Sequence, residues 1–166
     1  MYLKMNIHGF ALDSIAQRPV VLLKDADEAN TIPIWINSAD TLYIVAELVR
    51  HDAVAKSDRK DLLSALLGHL DAAVEEIVIE DMKDGLFDAL VGVSVDGETV
   101  MLPVRISEAL VLALKLSLPV MVADHLLKKI SQCDGDDDER FSDADARRFV
   151  DFLENLDPAD LGKYPM

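Results

Sequence analysis

Hydrophobic and polar positions change period along this chain, and each change marks a different kind of element. Tyr2 to Phe10 alternates loosely, with Leu3, Met5 and Ile7 on one side, and reads as a strand. Arg18-Pro19 turns into Val20-Val21-Leu22-Leu23, a buried strand; Asp25 to Asn30 is a polar loop and Ile32 to Ile36 a third strand. Asn37 or Ser38 then caps a helix whose apolar face is expected at Leu42, Val45, Leu48 and Val49. Lys56 to Arg59 is a charged connection into a second helix. Its stripe of Leu62, Leu63, Leu66, Leu67 and Leu70 is expected to pack into the core. Val74 to Ile79 and Leu86 to Val95 read as strands, and Asp96-Gly97 is a hairpin signal that returns the chain as Thr99 to Ile106. Ser107 opens a helix apolar on nearly every side, which has to be buried. Pro119 stops that helix, and Leu126 to Ile130 belongs to a short amphipathic one. The elements predict an α+β fold: a mixed, largely antiparallel sheet with buried helices.

Two segments resemble each other. Ile32-Pro33-Ile34-Trp35-Ile36 and Leu102-Pro103-Val104-Arg105-Ile106 lie 70 positions apart (102 − 32), and each leads into an apolar helix. At the same offset Ala39 meets Ala109 and Leu42 meets Leu112. This points to a duplicated strand-strand-strand-helix unit, with the leucine-striped helix inserted between the copies. An approximate two-fold would then relate the two helix starts and put Asp40 and Glu108 in comparable positions.

The pattern ends at Gln132. Residues 1–131 read as one domain, 132–141 as an acidic linker, and 142–166 as a terminal helix and tail. Asp134, Asp136, Asp138 and Asp145 fall at positions 1, 3, 5 and 12 of a calcium loop, but Glu139 stands where that loop needs glycine, so a solvated hinge is expected. The helix opens at Ser142 with Asp145 as its capping-box partner. Its stripe of Phe149, Phe152, Leu153 and Leu156 needs a partner surface, on the domain body or on a second subunit.

Composition narrows the class. The chain has 166 residues and is 51% hydrophobic, which suffices for one domain with a real core. Cys133 is the single cysteine, which excludes an intrachain disulfide and argues against a cysteine zinc site. Met1 to Asn6 lacks the layout of a signal peptide, and no apolar run reaches about 18 residues. A cytoplasmic protein without membrane contact is expected. A net charge of −15 argues against a broad electrostatic grip on phosphate backbones, leaving room only for a locally basic or metal-assisted groove.

The stretch Val100 to Val122 resembles the hallmark of the bifunctional nuclease domain family. That pattern runs arginine, proline, serine, aspartate and alanine, opens an Ala/Leu/Ile-rich helix, and closes on a Pro-Ile-x-Val strand. Arg105, Ser107 and Ala109 match it, Glu108 replaces the aspartate, Ile106 replaces the proline, and Pro119-Val120-Met121-Val122 matches the strand. The resemblance extends upstream through Leu23-Lys24-Asp25, Ile32 to Ile36 and Gly85-Leu86-Phe87-Asp88-Ala89. Asp40 stands where the family has glutamate, with Asn37 for its glycine and Thr41 for its alanine. The family's Arg-Pro-x-Thr-His segment is replaced by Lys56-Ser57-Asp58-Arg59-Lys60, with Lys60 in the place of the histidine.

The resemblance implies a nuclease acting on RNA and DNA. Metal-assisted phosphodiester cleavage needs carboxylates to hold Mg2+ or Mn2+ and a cation to neutralise developing charge. The candidate site is Asp40, Lys60, Arg105, Ser107 and Glu108, with Asp40 and Glu108 as metal ligands and Asp61 as a further carboxylate. Each has a structural reading as well. Asp40 and Glu108 fit early-helix acids that complement the dipole, and Arg105 fits a salt bridge to either of them. Lysine with an ordinary pKa is no general base near neutral pH. His8, His51, His69 and His125 show no ligand spacing, and Trp35 reads as a packing residue. The alternative function is a non-catalytic, homo-oligomeric binding or regulatory protein that keeps the fold. The acidic charge, Lys60 and the apolar terminal helix favour it.

Overall fold

Two meanders of three strands, each followed by a helix, build most of the molecule. A computed structural model of the chain describes residues 1–13, 18–56, 60–133 and 143–155. The first meander is β1 (Tyr2–Leu12), β2 (Pro19–Asp25) and β3 (Thr31–Trp35), followed by α1 (Ser38–Ala55). After α2 (Leu62–His69) the second runs β4 (Ala73–Lys83), β5 (Leu86–Val95) and β6 (Glu98–Val104) into α3 (Ile106–Leu116). The chain closes with β7 (Val120–Ala123), α4 (Asp124–Cys133) and α5 (Asp143–Glu154).

The strands form one sheet in the order β3-β2-β1-β7-β4-β5-β6. All its pairings are antiparallel except β4 with β7. The α+β class and the mixed, largely antiparallel sheet are therefore as the sequence predicts. Two tight turns serve the second meander. Asp96 and Gly97 both have positive φ, as do Asp84 and Gly85, the combination a type I′ hairpin requires. The second of these turns carries β4 four residues past the Ile79 boundary the sequence suggests (83 − 79).

The duplication is visible in the topology. The order reads as a three-strand meander on either side of β7, and β1 and β4 run antiparallel to each other because β7 is antiparallel to one and parallel to the other. The repeated prolines fall on the two edge strands, β3 and β6. The Ile36 amide bonds the Pro19 carbonyl at 3.0 Å, so alternation along β3 aims the Pro33 position away from the sheet. The tight turn makes Val95 and Glu98 the first bonded pair, which aims Pro103 outward as well. Each proline thus sits where an N–H would have been left unpaired, and blunts an edge against further strands.

Helices cover the sheet face lined by Met5, Leu23, Ile34, Ile77, Ile79 and Val120, all fully buried. α3 buries Ala109, Leu110, Val111 and Ala113 there, as its apolar circumference demands. It ends at Ser117 in the left-handed region, with the Leu118 amide returning to the Ala113 carbonyl at 2.9 Å ahead of Pro119. α5 lies against β1, where Phe149 stacks on Phe10 with ring centroids 5.6 Å apart. Part of the terminal helix's stripe is thus covered by the domain body; Phe152 and Leu153 are half-buried. Leu156, the side chain of Asp145 and the acidic segment 134–140 lie outside the described residues. No described helix is long and apolar enough to cross a membrane.

Two expected faces are corrected. α1 does not bury Leu42, Val45, Leu48 and Val49 as a set; Thr41 and Ile44 are its buried residues, and Val49 is 65% exposed. The reason is that α1 packs on α3, which turns its inward face toward Asp40, Thr41 and Ile44. The leucine stripe of α2 does not enter the core. The helix buries no residue, and Leu62 (72% exposed), Leu63 (44%), Leu66 (48%) and Leu70 (59%) face outward.

Candidate functional site

The two helix starts that the duplication relates are in contact. Asn37 caps α1, its side-chain oxygen accepting the Asp40 amide at 2.8 Å, while the Thr41 hydroxyl donates to the Asn37 carbonyl at 2.9 Å. This fixes the first turn and sets the Asp40 carboxylate beside α3. There the Ser107 hydroxyl, 1% exposed, donates to Asp40 Oδ1 at 2.8 Å. Arg105 is the N-cap of α3, and Glu108 folds back so that its carboxylate accepts the Arg105 amide at 3.4 Å. Arginine offers no acceptor, so only this half of a capping box exists.

Counted from the caps, Asp40 and Glu108 hold the same place (40 − 37 and 108 − 105), so the helix starts are equivalent at an offset of 68, two short of the 70 that relates the strand segments. Glu47 and Lys115 also share a place (47 − 37 and 115 − 105), and Lys115 Nζ lies 2.8 Å from Glu47 Oε2. Equivalent positions that meet each other are what an approximate two-fold between α1 and α3 produces. The links also show that the helices start together and run side by side, with charged contacts at their first and third turns.

Of the residues singled out in the sequence, Asp40, Arg105, Ser107 and Glu108 are therefore gathered at one point. Lys60 is exposed and immediately precedes Asp61, the N-cap of α2, whose carboxylate accepts the Ser64 amide at 2.9 Å and its hydroxyl at 3.1 Å. The Ser64 amide holds the Asp61 carboxyl below the ordinary range, with Lys115 and Arg50 adding to the effect. Lys60 thus adjoins the Glu47–Lys115 end of the helix pair, not the Asp40–Ser107 end. Arg105 is exposed, and among the described residues neither Asp40 nor Glu108 lies within ion-pair distance of its guanidinium.

Sequence reasoning missed Tyr43, Glu47, Arg50 and Lys115. Tyr43 and Glu47 continue the Asp40 stripe at helical spacing, and Lys115 is the lone charge between Ala109 and Leu118, which was a signal. Burial raises the Tyr43 hydroxyl above its ordinary pKa; Glu47 and Glu108 reinforce this, while Arg50 and Arg105 oppose it. The hydroxyl accordingly stays protonated and can donate.

Among the described residues no group of three or more His, Cys, Asp or Glu could hold a metal ion. The donors at the helix starts are two carboxylates, each with one oxygen already accepting a hydrogen bond. Such a pair does not make a closed site of the zinc type.

Paired helix starts with an exposed arginine, carried on a duplicated meander-and-helix sheet, describe a small α+β protein. The sequence profile of the bifunctional nuclease domain matches residues 21–134, well over half of the chain. The chain belongs to the bifunctional nuclease domain family. It is also similar to the uncharacterized proteins MT1877 and Rv1829 of Mycobacterium tuberculosis, from strains CDC 1551 and H37Rv. Each is 25% identical to it over 171 residues that cover 95% of this chain and 97% of the relative.

Proposed function

We propose that the protein cleaves phosphodiester bonds of RNA or DNA at the joined starts of α1 and α3. The observation that carries this is the gathering of Asp40, Arg105, Ser107 and Glu108 from two helices 67 residues apart in sequence at Ser107 and Asp40. The family gives the reaction class. In this reading the first-turn amides and the Arg105 fork receive a phosphate, as helix starts and guanidinium groups do. Asp40 and Glu108 would hold a Mg2+ or Mn2+ ion, which would supply Lewis-acid stabilisation of the phosphate. Ser107 is too deeply buried to attack a substrate and instead orients Asp40. Lys60 serves a neighbouring phosphate of the same strand. With no histidine in the family's place, proton transfer falls to water.

The test is a metal-dependent degradation assay on single-stranded RNA and duplex DNA beside Arg105→Ala and Glu108→Gln. Cleavage that needs added Mg2+ or Mn2+ and is lost in both variants supports the reading. Cleavage undiminished in Glu108→Gln removes that residue from the site, and no cleavage by the wild type ends the proposal.

The α2 leucines favour a second reading, a homo-oligomeric binding or regulatory protein. An eight-residue helix that buries nothing is not held by propensity alone, and three exposed leucines on it with a fourth at its C-cap call for a cover. Sedimentation of the wild type and of Leu66→Lys decides this reading: a monomer in both excludes assembly through α2.

A further inference from the structure

Tyr43 lies three residues after Asp40 and four before Glu47, and both of those face α3. Its ring therefore stands on the same stripe, between the Asp40–Ser107 contact and the Glu47–Lys115 contact. It is 39% exposed and within electrostatic reach of Arg105 and Glu108. The other described aromatics are engaged elsewhere. Phe10 and Phe149 stack on each other, Phe87 is buried, Phe152 is half-buried on α5, and Trp35 packs against the core with its Nε1 donating to Asp13 at 3.3 Å. Tyr2 alternates to the opposite face from Leu3 and Met5, where its hydroxyl meets Glu80 at 3.3 Å in an acidic setting. Tyr43 is thus the one described aromatic that is exposed beside an arginine.

We infer that Tyr43 is a stacking platform for a nucleobase next to the phosphate held by Arg105, and that the site thereby selects single-stranded nucleic acid. The inference rests on the phosphodiester reading and deepens it. A ring beside a phosphate-binding fork meets a base only if that base is free to turn out of its helix. In a duplex the bases are paired inside, and the backbone alone is presented. Stacking is indifferent to base identity, because every base has a flat face. The selection is therefore for strandedness and not for sequence, and RNA and DNA strands qualify alike. The hydroxyl at the far end of the ring is free to stay in water while the ring face is covered, as amphipathic aromatics do.

The experiment is equilibrium binding of the full chain to a labelled oligothymidylate of about 12 nucleotides, within the usual reach of such sites, and to a duplex of the same length. Fluorescence anisotropy, without added metal, reads both. The wild type is expected to bind the single strand more tightly than the duplex. Tyr43→Leu, which keeps apolar bulk on the helix but no flat ring, is expected to weaken single-strand binding at least about fivefold and leave the duplex unchanged. Tyr43→Phe is expected to retain wild-type binding, a rescue that a merely structural tyrosine hydroxyl would not show. Arg105→Ala weakens both ligands. Equal affinity for strand and duplex overturns the inference. So does Tyr43→Phe as weak as Tyr43→Leu, which would assign the effect to the hydroxyl. Binding that depends on Arg105 and not on Tyr43 removes the stacking alone, whereas no binding of either ligand overturns this inference and leaves the phosphodiester reading to the metal-dependent cleavage assay.

Discussion

Ser107 carries its hydroxyl into a place water hardly reaches and spends it on Asp40, a residue 67 positions away. That one bond ties the first turns of α1 and α3, so its removal strikes both stability and the aim of the carboxylate. Ser107→Ala should cost about 1–2 kcal/mol in urea unfolding. It should lower cleavage only partially, because the residue positions and does not attack. Abolished cleavage with unchanged stability would mean the opposite. At Arg105 a different rule applies. Its fork matches phosphate oxygens in pairs, so Arg105→Lys should lose binding even though charge is kept. Titration of a phosphate-containing oligonucleotide against both proteins checks this. Arg105, Ser107 and Glu108 were legible from their motif, and Asp40 from its place after a capped strand end. Tyr43 and Lys115 left only the signals of spacing and a lone charge, because periodicity says which residues share a face of one helix and not which faces of two helices meet.

At the scale of elements, α2 shows the limit of amphipathic patterning. Leu62, Leu63, Leu66 and Leu70 announce a stripe, and nothing in the stripe says what lies opposite it. The strands were read well because turn chemistry at Asp96-Gly97 and prolines at Pro33 and Pro103 constrain them locally. Leu66→Lys should change monomer stability by less than about 0.5 kcal/mol, as surface substitutions do. A loss of several kcal/mol in chemical denaturation would mean that α2 is packed after all. A second element, the join of β4 and α4, carries an acid-sensitive clasp. The Asp81 carboxylate accepts the Met82 amide at 2.8 Å and Lys129 Nζ at 3.1 Å, and lies 3.6 Å from His125 Nε2. The Met82 amide first, then Lys129, hold its carboxyl below the ordinary value of 3.8. A lowered folded value means the stabilisation is present above the unfolded value and is lost as pH falls through the folded one. Melting temperature between about pH 5 and pH 3 should therefore fall less steeply in Asp81→Asn than in the wild type. Equal slopes would show that the clasp contributes nothing to the acid limb.

For the molecule as a whole, the duplication explains more than resemblance does. Matching prolines at both edges, matching acids in both first turns and the Glu47–Lys115 pairing all follow from one unit used twice. The α5 helix stands outside that scheme and is anchored by Phe149 on Phe10. Phe149→Ala should cost about 3 kcal/mol, measured by urea unfolding, and an unchanged midpoint would make α5 a passenger. The central place of β7 has a consequence for synthesis. Its four residues are the sole bond between the meanders in the sheet, and they are made after both meanders and both paired helices. Until they emerge, a growing chain has β1 and β4 as two long inner edges with no proline to guard them. The ribosome therefore releases the first half long before the piece that joins it to the second, and the interval is one of exposure to other unfinished copies. Pulse proteolysis of ribosome-stalled chains of increasing length should show protection of the sheet arriving in one step, when Val120–Ala123 clears the exit. Protection of the first meander as soon as α1 emerges would show instead that each half can wait alone.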